Sequence, residues 1–230
     1  MRFLKRSLLC LFSMIFLTAC GSPPSSGKDK KFTANSQVLQ NSLPSFSAED
    51  VPQTPSGSFN PLVVYKDKGS RENHFTPSGF MPDGKCLAFN DKWMENCQTG
   101  KTCMKVEYDV QCSMEGQGWA GIYWLNPPNN WGKQKGGFDL GGAHKLTFWA
   151  KGDRGGERIE EFKIGGILGD YPDSDMAMIG PVILTNEWRE YTIDLRGKDL
   201  SYISGGFLWS TRADENPEGC TFYLDDIVYE

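Results

Sequence analysis

Histidine is nearly missing from this chain: 230 residues hold two, His74 and His144. There is no Cys-x-x-Cys, no His-Glu-x-x-His and no Gly-x-Ser-x-Gly. The chain thus carries no zinc-site signature and neither of these two hydrolase motifs. Paired carboxylates exist, such as Glu160 with Glu161 and Asp173 with Asp175. A glycosidase needs two carboxyls about 5–10 Å apart across a cleft. Neighbours on a strand point to opposite faces, so Glu160 and Glu161 do not qualify together. Asp173 and Asp175 sit in a loop with nothing to pair them with a cleft, so the chain reads as non-catalytic, with a glycoside hydrolase as the less favoured alternative. Long apolar runs are scarce too: Leu8 to Leu17, interrupted by Ser13, falls short of the roughly 20 residues that span a bilayer. Helical periodicity is scarce, and no repeat of fixed period is visible. No basic cluster suited to nucleic acid follows the first residues; Lys28, Lys30 and Lys31 form only a small group.

What is present begins with location. Arg2, Lys5 and Arg6 precede the apolar run, the pattern of a secretory signal peptide over residues 1–19. The run ends in Leu17-Thr18-Ala19-Cys20, which resembles a bacterial lipobox. The resemblance implies a diacylglycerol on the Cys20 thiol, cleavage before it, and acylation of the new amine, palmitate included. Several acyl chains on one residue make a stable bilayer anchor, whereas a single chain binds marginally. Gly21 follows, where an aspartate would favour the inner membrane in enterobacteria. The expectation is an envelope lipoprotein of the outer membrane or cell surface. Removing residues 1–19 takes away three basic residues and no acids, leaving 21 Lys+Arg against 29 Asp+Glu. Such an acidic protein has little attraction for nucleic acid.

Residues 20–60 read as the lipidated Cys20 and a disordered linker, rich in Ser, Pro, Gly, Asn and Gln. The segment has too few apolar residues to offset the entropy of ordering. A flexible chain of about 40 residues spans roughly 35 Å end to end. Alternatively, part of it, around Val38 to Leu43, packs on the domain.

Residues 61–230 read as one all-β domain. Apolar residues alternate in short runs separated by Gly, Asn, Asp and Pro. The runs are 61–67, 86–91, 102–110, 119–125, 144–152, 159–166, 187–195, 205–211 and 220–230. About nine antiparallel strands predict a β-sandwich. Three ordered stretches then resemble a known family: "FDLGGAHKLTFWAKG" (138–152), "NEWREYTIDL" (186–195) and "FYLDDIVYE" (222–230). Together they are similar to the second half of a jelly-roll carbohydrate-binding module of the galactose-binding-like class. The resemblance implies a jelly roll that binds a glycan or polysaccharide. The same architecture also suits a structural or protein-interaction envelope lipoprotein, since fold does not fix function.

Aromatic residues crowd one stretch, "QGWAGIYWLNPPNNWG" (117–132). Trp119 and Tyr123 share one strand face, Ile122 and Trp124 the other, and one of the two must be core. Trp131 follows a Pro-Pro-Asn-Asn turn, where exposure is expected. Trp149 alternates with inward Phe148 and Ala150, so it faces outward beside Lys151, and Glu161 and Lys163 of the next strand are expected on that same face. A ring among charged groups suits a sugar, which stacks its C–H face and hydrogen-bonds its hydroxyls. Trp131, Trp149, Lys151, Glu161 and Lys163 are therefore the carbohydrate-binding candidates. Trp188 and Trp209 read as core.

The family resemblance also implies a structural calcium between the first and last strands. Asp226 is the matching position, with Asp225 as its alternate and Asp67 and Asn73 as partners. The cysteines are read from spacing. "CQTGKTC" closes a tight turn, which pairs Cys97 with Cys103. Antiparallel pairs keep a nearly constant sum of residue numbers, 200 for Cys97 with Cys103 and 198 for Cys86 with Cys112. The second disulfide is thus expected to nest in the same hairpin. Cys220 is left free or buried.

Overall fold

The computed structural model describes residues 59–230. The signal peptide, Cys20 and nearly all of the linker lie outside the described residues. Thirteen strands occur within them: β1 Leu62–Tyr65, β2 Thr76–Pro82, β3 Leu87–Trp93, β4 Cys103–Tyr108, β5 Trp119–Leu125, β6 Lys145–Gly152, β7 Arg158–Ile159, β8 Glu161–Gly165, β9 Met176–Ile179, β10 Val182–Ile183, β11 Arg189–Asp194, β12 Gly205–Arg212 and β13 Cys220–Tyr229. A 3-10 turn, Gly84–Cys86, precedes β3, and a short helix, α1 Val110–Met114, follows β4.

Two antiparallel sheets carry the fold. One runs β11-β6-β13-β4-β3, with β1 added along the second half of β13. The other runs β2-β5-β12-β8-β9. The chain passes repeatedly from sheet to sheet, as at β4 to β5, β5 to β6, β11 to β12 and β12 to β13. The result is a jelly-roll β-sandwich. A separate ribbon pairs β7 with β10.

Alternation explains the core. Met104, Val106, Leu146, Phe148, Phe222 and Leu224 are fully buried on the inner side of the first sheet, and Ile122, Trp124, Phe162, Phe207 and Trp209 on that of the second. Rings interdigitate across the gap: Phe148 lies 4.5 Å from Phe162 and 5.2 Å from Phe207, and Trp209 meets Phe222 edge-on at 4.8 Å. Such ring pairs add to what area burial alone contributes. Phe59 packs against this core, so the folded region starts slightly before residue 61.

Both expected disulfides are present, Cys86–Cys112 and Cys97–Cys103. Their setting differs from the nested hairpin. The β3–β4 ladder pairs Leu87 with Tyr108 and Phe89 with Val106, a register offset from both cysteine pairs. Cys86 ends the 3-10 turn and Cys112 lies in α1, so this bridge ties two helical turns beyond the ladder. Cys220 is free and buried.

Candidate functional site

The outward face of the five-stranded sheet is built from three cross-strand rows. One reads Gly79, Tyr123, Leu208, Lys163 and Met178; the next Met81, Gly121, Ser210 and Glu161; the third Trp119 and Arg212. The question left by the sequence is thereby answered: Ile122 and Trp124 face the core, Trp119 and Tyr123 face away from it. Tyr123 is nevertheless buried. It joins Leu125, Ile167, Leu208 and half-buried Met81 in a small apolar cluster separate from the main core. Its hydroxyl donates to the Gly165 carbonyl. Burial above all, then the charges of Asp173 and Glu161, push its phenol well above the ordinary range.

Trp131 roofs one end of this cluster. Its ring stands edge-on to Tyr123, 6.1 Å between centroids. Residue 79 must be glycine for this to happen: a Cβ there would lie 2.8 Å from both Trp131 Cζ2 and Tyr123 Cβ. The loop that presents Trp131 is pinned by two asparagines. Buried Asn130 accepts the amides of Lys133 and Gln134 and donates to the Gln134 carbonyl. Asn126 donates through its side chain to the His74 carbonyl and accepts the Gly137 amide.

A second loop locks onto the first. The Tyr171 amide donates to the Gly132 carbonyl at 3.0 Å, and Gly132 sits so close to the Leu168 carbonyl that a Cβ would be 2.0 Å from its oxygen. Asp173 holds this loop down by accepting the amides of Ile167, Ser204 and Gly205 and the Ser204 hydroxyl. Asp175 accepts the Asp199 amide and pairs with Lys198. These loop carboxylates are therefore committed to structure. Exposed apolar side chains concentrate here: Trp131 is 38% exposed, Tyr171 42%, Met178 50% and Leu168 79%.

Polar groups continue the face. Lys163 Nζ lies 3.9 Å from Glu161 Oε1 and 5.8 Å from the Tyr123 ring centre. The Ser210 hydroxyl donates to Glu161 Oε1. Exposed rings, an apolar floor and a carboxylate–ammonium pair can stack on a flat ligand and exchange hydrogen bonds with its rim.

The expected grouping of Trp149, Lys151, Glu161 and Lys163 on one face needs correction. β6 and β8 belong to different sheets, because the chain crosses the sandwich between them. Trp131, Glu161 and Lys163 come together; Trp149 and Lys151 lie on the opposite side of the domain. There Trp149 stands in a row with Glu190 and Asp225 and is half-buried. Loop 94–99 reaches over this region: the Trp188 indole donates to the Asn96 carbonyl at 2.7 Å, and Asp225 accepts the amides of Gln98 and Thr99. Trp188 is thus half-buried on an outer face rather than in the core, whereas Trp209 is fully buried as expected. Tyr171 and Met178 were not singled out from sequence. Tyr171 lies in "DYPDSDM" (170–176), an acidic loop sequence with no alternation to assign its ring to a face.

The calcium candidates converge on one turn. Asp67 Oδ1 accepts the Lys101 and Thr102 amides, and Asn73 bridges the Asp67 carbonyl and the Lys66 amide. From the other side Asp225 and Asp226 form a bulge, with Asp226 at φ 41° and hydrogen-bonded to Thr99. Burial chiefly, aided by the Asp226 charge and opposed by the Thr99, Asp226 and Gln98 amides, pushes the Asp225 carboxyl up to about 7. Asp67 Oδ2 and Asp226 Oδ1 receive no hydrogen bond among the described residues. No group of three His, Cys, Asp or Glu side chains spaced for a metal occurs among the described residues. The residues thus offer calcium a few oxygens from two sides, fewer than the six to eight it takes.

No protein-family model and no curated protein matches the chain. Solved structures do. A family 30 carbohydrate-binding module is 19% identical, with a TM-score of 0.47, covering 75% of this chain and 88% of its own. A family 11 carbohydrate-binding module from Clostridium thermocellum, in complex with a β-1,3-1,4-mixed-linked tetrasaccharide, is 14% identical, with a TM-score of 0.46, covering 74% and 94%. A family 29 carbohydrate-binding module is 11% identical, with a TM-score of 0.43, covering 74% and 87%. Likeness at this level does not extend to a ligand, and the sandwich stands on its own strand pairing.

Proposed function

We propose that this protein is a non-catalytic carbohydrate-binding lipoprotein of a bacterial envelope. It presents the outward face of its five-stranded sheet to a glycan. One observation carries the reading: an exposed indole, Trp131, is held by two interlocked loops over an apolar floor beside the Glu161–Lys163 pair. That is the combination a sugar needs, a flat apolar surface for its C–H face and charged partners for its hydroxyls. The acyl chains on Cys20 tie the domain to the outer membrane or cell surface, and the linker gives it reach. Calcium between Asp67, Asn73, Asp225 and Asp226 is the structural cofactor of the same reading.

Affinity electrophoresis through gels containing neutral polysaccharides tests the binding. Retardation of the wild type, reduced in Trp131→Ala, is the expected result; a wild type that no gel retards overturns the reading. Membrane fractionation of Cys20→Ala tests the anchor, and a variant still sedimenting with membranes overturns it. A second reading has one observation in its favour. Leu168, Met176 and Met178 are exposed on the same side and would suit a protein partner. Cross-linking in whole cells that captures one protein through this face, with no glycan retardation, would favour it.

A further inference from the structure

A cleft of about 530 Å³ opens on the outward side of the other sheet. Its floor is the cross-strand row Ala88, Glu107 and Thr221, whose neighbours Val106, Tyr108 and Phe222 point into the core. Lys85, Asp109, Asp153, Arg154 and Glu218 form the rim. Three of these charges are already spent: Arg154 and Glu218 pair with each other at 3.3 Å, and Glu107 pairs with Lys105 at 2.9 Å. Lys85, Asp109 and Asp153 form no ion pair among the described residues. Asp109 uses one oxygen to accept the Cys112 amide, and Asp153 uses one to accept the Tyr223 hydroxyl. Each keeps a second oxygen without a donor.

The cleft therefore offers one ammonium donor and two carboxylate acceptors around a floor bearing a methyl and a hydroxyl. A ligand whose groups both donate and accept fits that set, as sugar hydroxyls do. The volume falls within the roughly 300–1,000 Å³ of ligand clefts. The excess of carboxylate disfavours an anion. One row further along the same face, about 7 Å away, stand Lys105, Tyr223 and Lys151. Trp93 and Trp188 flank them, with the lysine ammoniums 4.7 to 5.3 Å from ring centres. The cleft thus continues into an aromatic surface. None of it touches the face that carries Trp131.

We infer that this cleft is a second saccharide site, for a sugar without negative charge, placed back to back with the ring face so that one domain holds two glycan chains. The inference rests on the saccharide-binding reading above but on different residues. Affinity electrophoresis of the full chain separates the two. The gels contain β-glucan, xylan, mannan or polygalacturonate. Trp131→Ala should keep part of its retardation in at least one of the first three and none in polygalacturonate. Lys85→Ala/Asp153→Asn should also keep part, and the combined variant should run as in an empty gel. Wild type alone should cross-link soluble chains, seen as light scattering. Ala88→Arg, which fills the floor from an exposed position, is the second variant should the first melt early. The second site is overturned if Trp131→Ala loses all retardation in gels that retard the wild type. It is equally overturned if neither cleft variant lowers what remains in Trp131→Ala. A wild type that no gel retards removes both sites together.

Discussion

Trp131 and Tyr123 meet edge to face at an interplanar angle of 85°, one ring 38% exposed and the other 3%. The pair divides its labour: Tyr123 is floor and Trp131 is surface. Trp131→Ala should cost no more than about 1–2 kcal/mol of stability, since much of the ring is already in water. It should weaken glycan binding by roughly 1–3 kcal/mol, a magnitude taken from stacking on nucleic-acid bases. Trp124→Ala, in the core, should cost about 3–5 kcal/mol. Melting curves and retardation of both variants check the contrast; a Trp131→Ala protein that melts as low as Trp124→Ala would make the exposed ring structural.

Gly79→Ala is a finer test of the same arrangement. The new methyl would collide with Trp131 and with Tyr123 at 2.8 Å. Tyr123 Cβ is fixed to the backbone of β5, so the edge strand β2 and the indole must both shift to admit the methyl. Glycan retardation should fall toward that of Trp131→Ala although no ligand-facing atom has been removed. Unchanged retardation would show that the ring's position over Gly79 is immaterial.

The cysteines give a chemical fingerprint. Peptide mapping without reduction should return Cys86 linked to Cys112 and Cys97 linked to Cys103. By loop closure the longer bridge should contribute about 3–4 kcal/mol and the shorter about 2 kcal/mol. Burial, first, and the nearby Glu157 charge push the Cys220 thiol up to about 12. In the native protein it should resist alkylation at pH 8 and react on unfolding. Rapid native labelling of Cys220 would contradict its burial.

Acid should act through Asp83. This carboxylate, 5% exposed, accepts the Ser113 hydroxyl and the amides of Gln117 and Gly118. Burial works to raise its pKa, but the hydrogen bonds from Ser113, Gln117, Gly118 and Trp119 prevail and hold it below the usual value. A depressed carboxyl adds stability above its unfolded pKa of about 4, and that stability is lost as pH falls through the folded value. Asp83→Ala should cost about 2–3 kcal/mol at pH 7 through the unpaired donors. Denaturation of Asp83→Asn followed from pH 6 to 2 should show a shallower decline than wild type. An identical slope would remove Asp83 from the acid response.

Calcium is tested at the junction of Asp67 with Asp226. An ion that binds only the folded chain raises the melting midpoint by mass action. Added calcium should raise it, chelator should reverse the rise, and Asp226→Asn should abolish both. A wild-type midpoint indifferent to chelator would leave the junction held by its amide donors alone.

Much of the fold was legible because alternation survives wherever one strand face meets the core. "TCMKVEYDV" buries Met104, Val106 and Tyr108 as its spacing requires. β2 was missed because "TPSGFMP" carries two prolines and a glycine. It lies at a sheet edge, where a missing amide is tolerated and where Gly79 makes room for an indole. Which strands share a sheet was not legible. Facing is a local property, readable from period two, but partnership depends on where the chain crosses the sandwich. Lys163 and Trp149 were each read correctly as outward and wrongly as neighbours for that reason. The disulfide partners came out right although Cys86 and Cys112 sit in helical turns past the ladder, where a strand register no longer applies.

The strand Cys220–Tyr229 fills the middle of its sheet, between β6 on one side and β4 with β1 on the other. Until those residues arrive, β4 and β6 have no partner between them and Phe222 and Leu224 are missing from the core. A chain leaving the ribosome with its N-terminus leading therefore cannot complete the sandwich until residues 220–229 have emerged. Closure is thus a late event of synthesis, and two long strand edges stay open in the interval, when pairing with another chain is the greatest hazard.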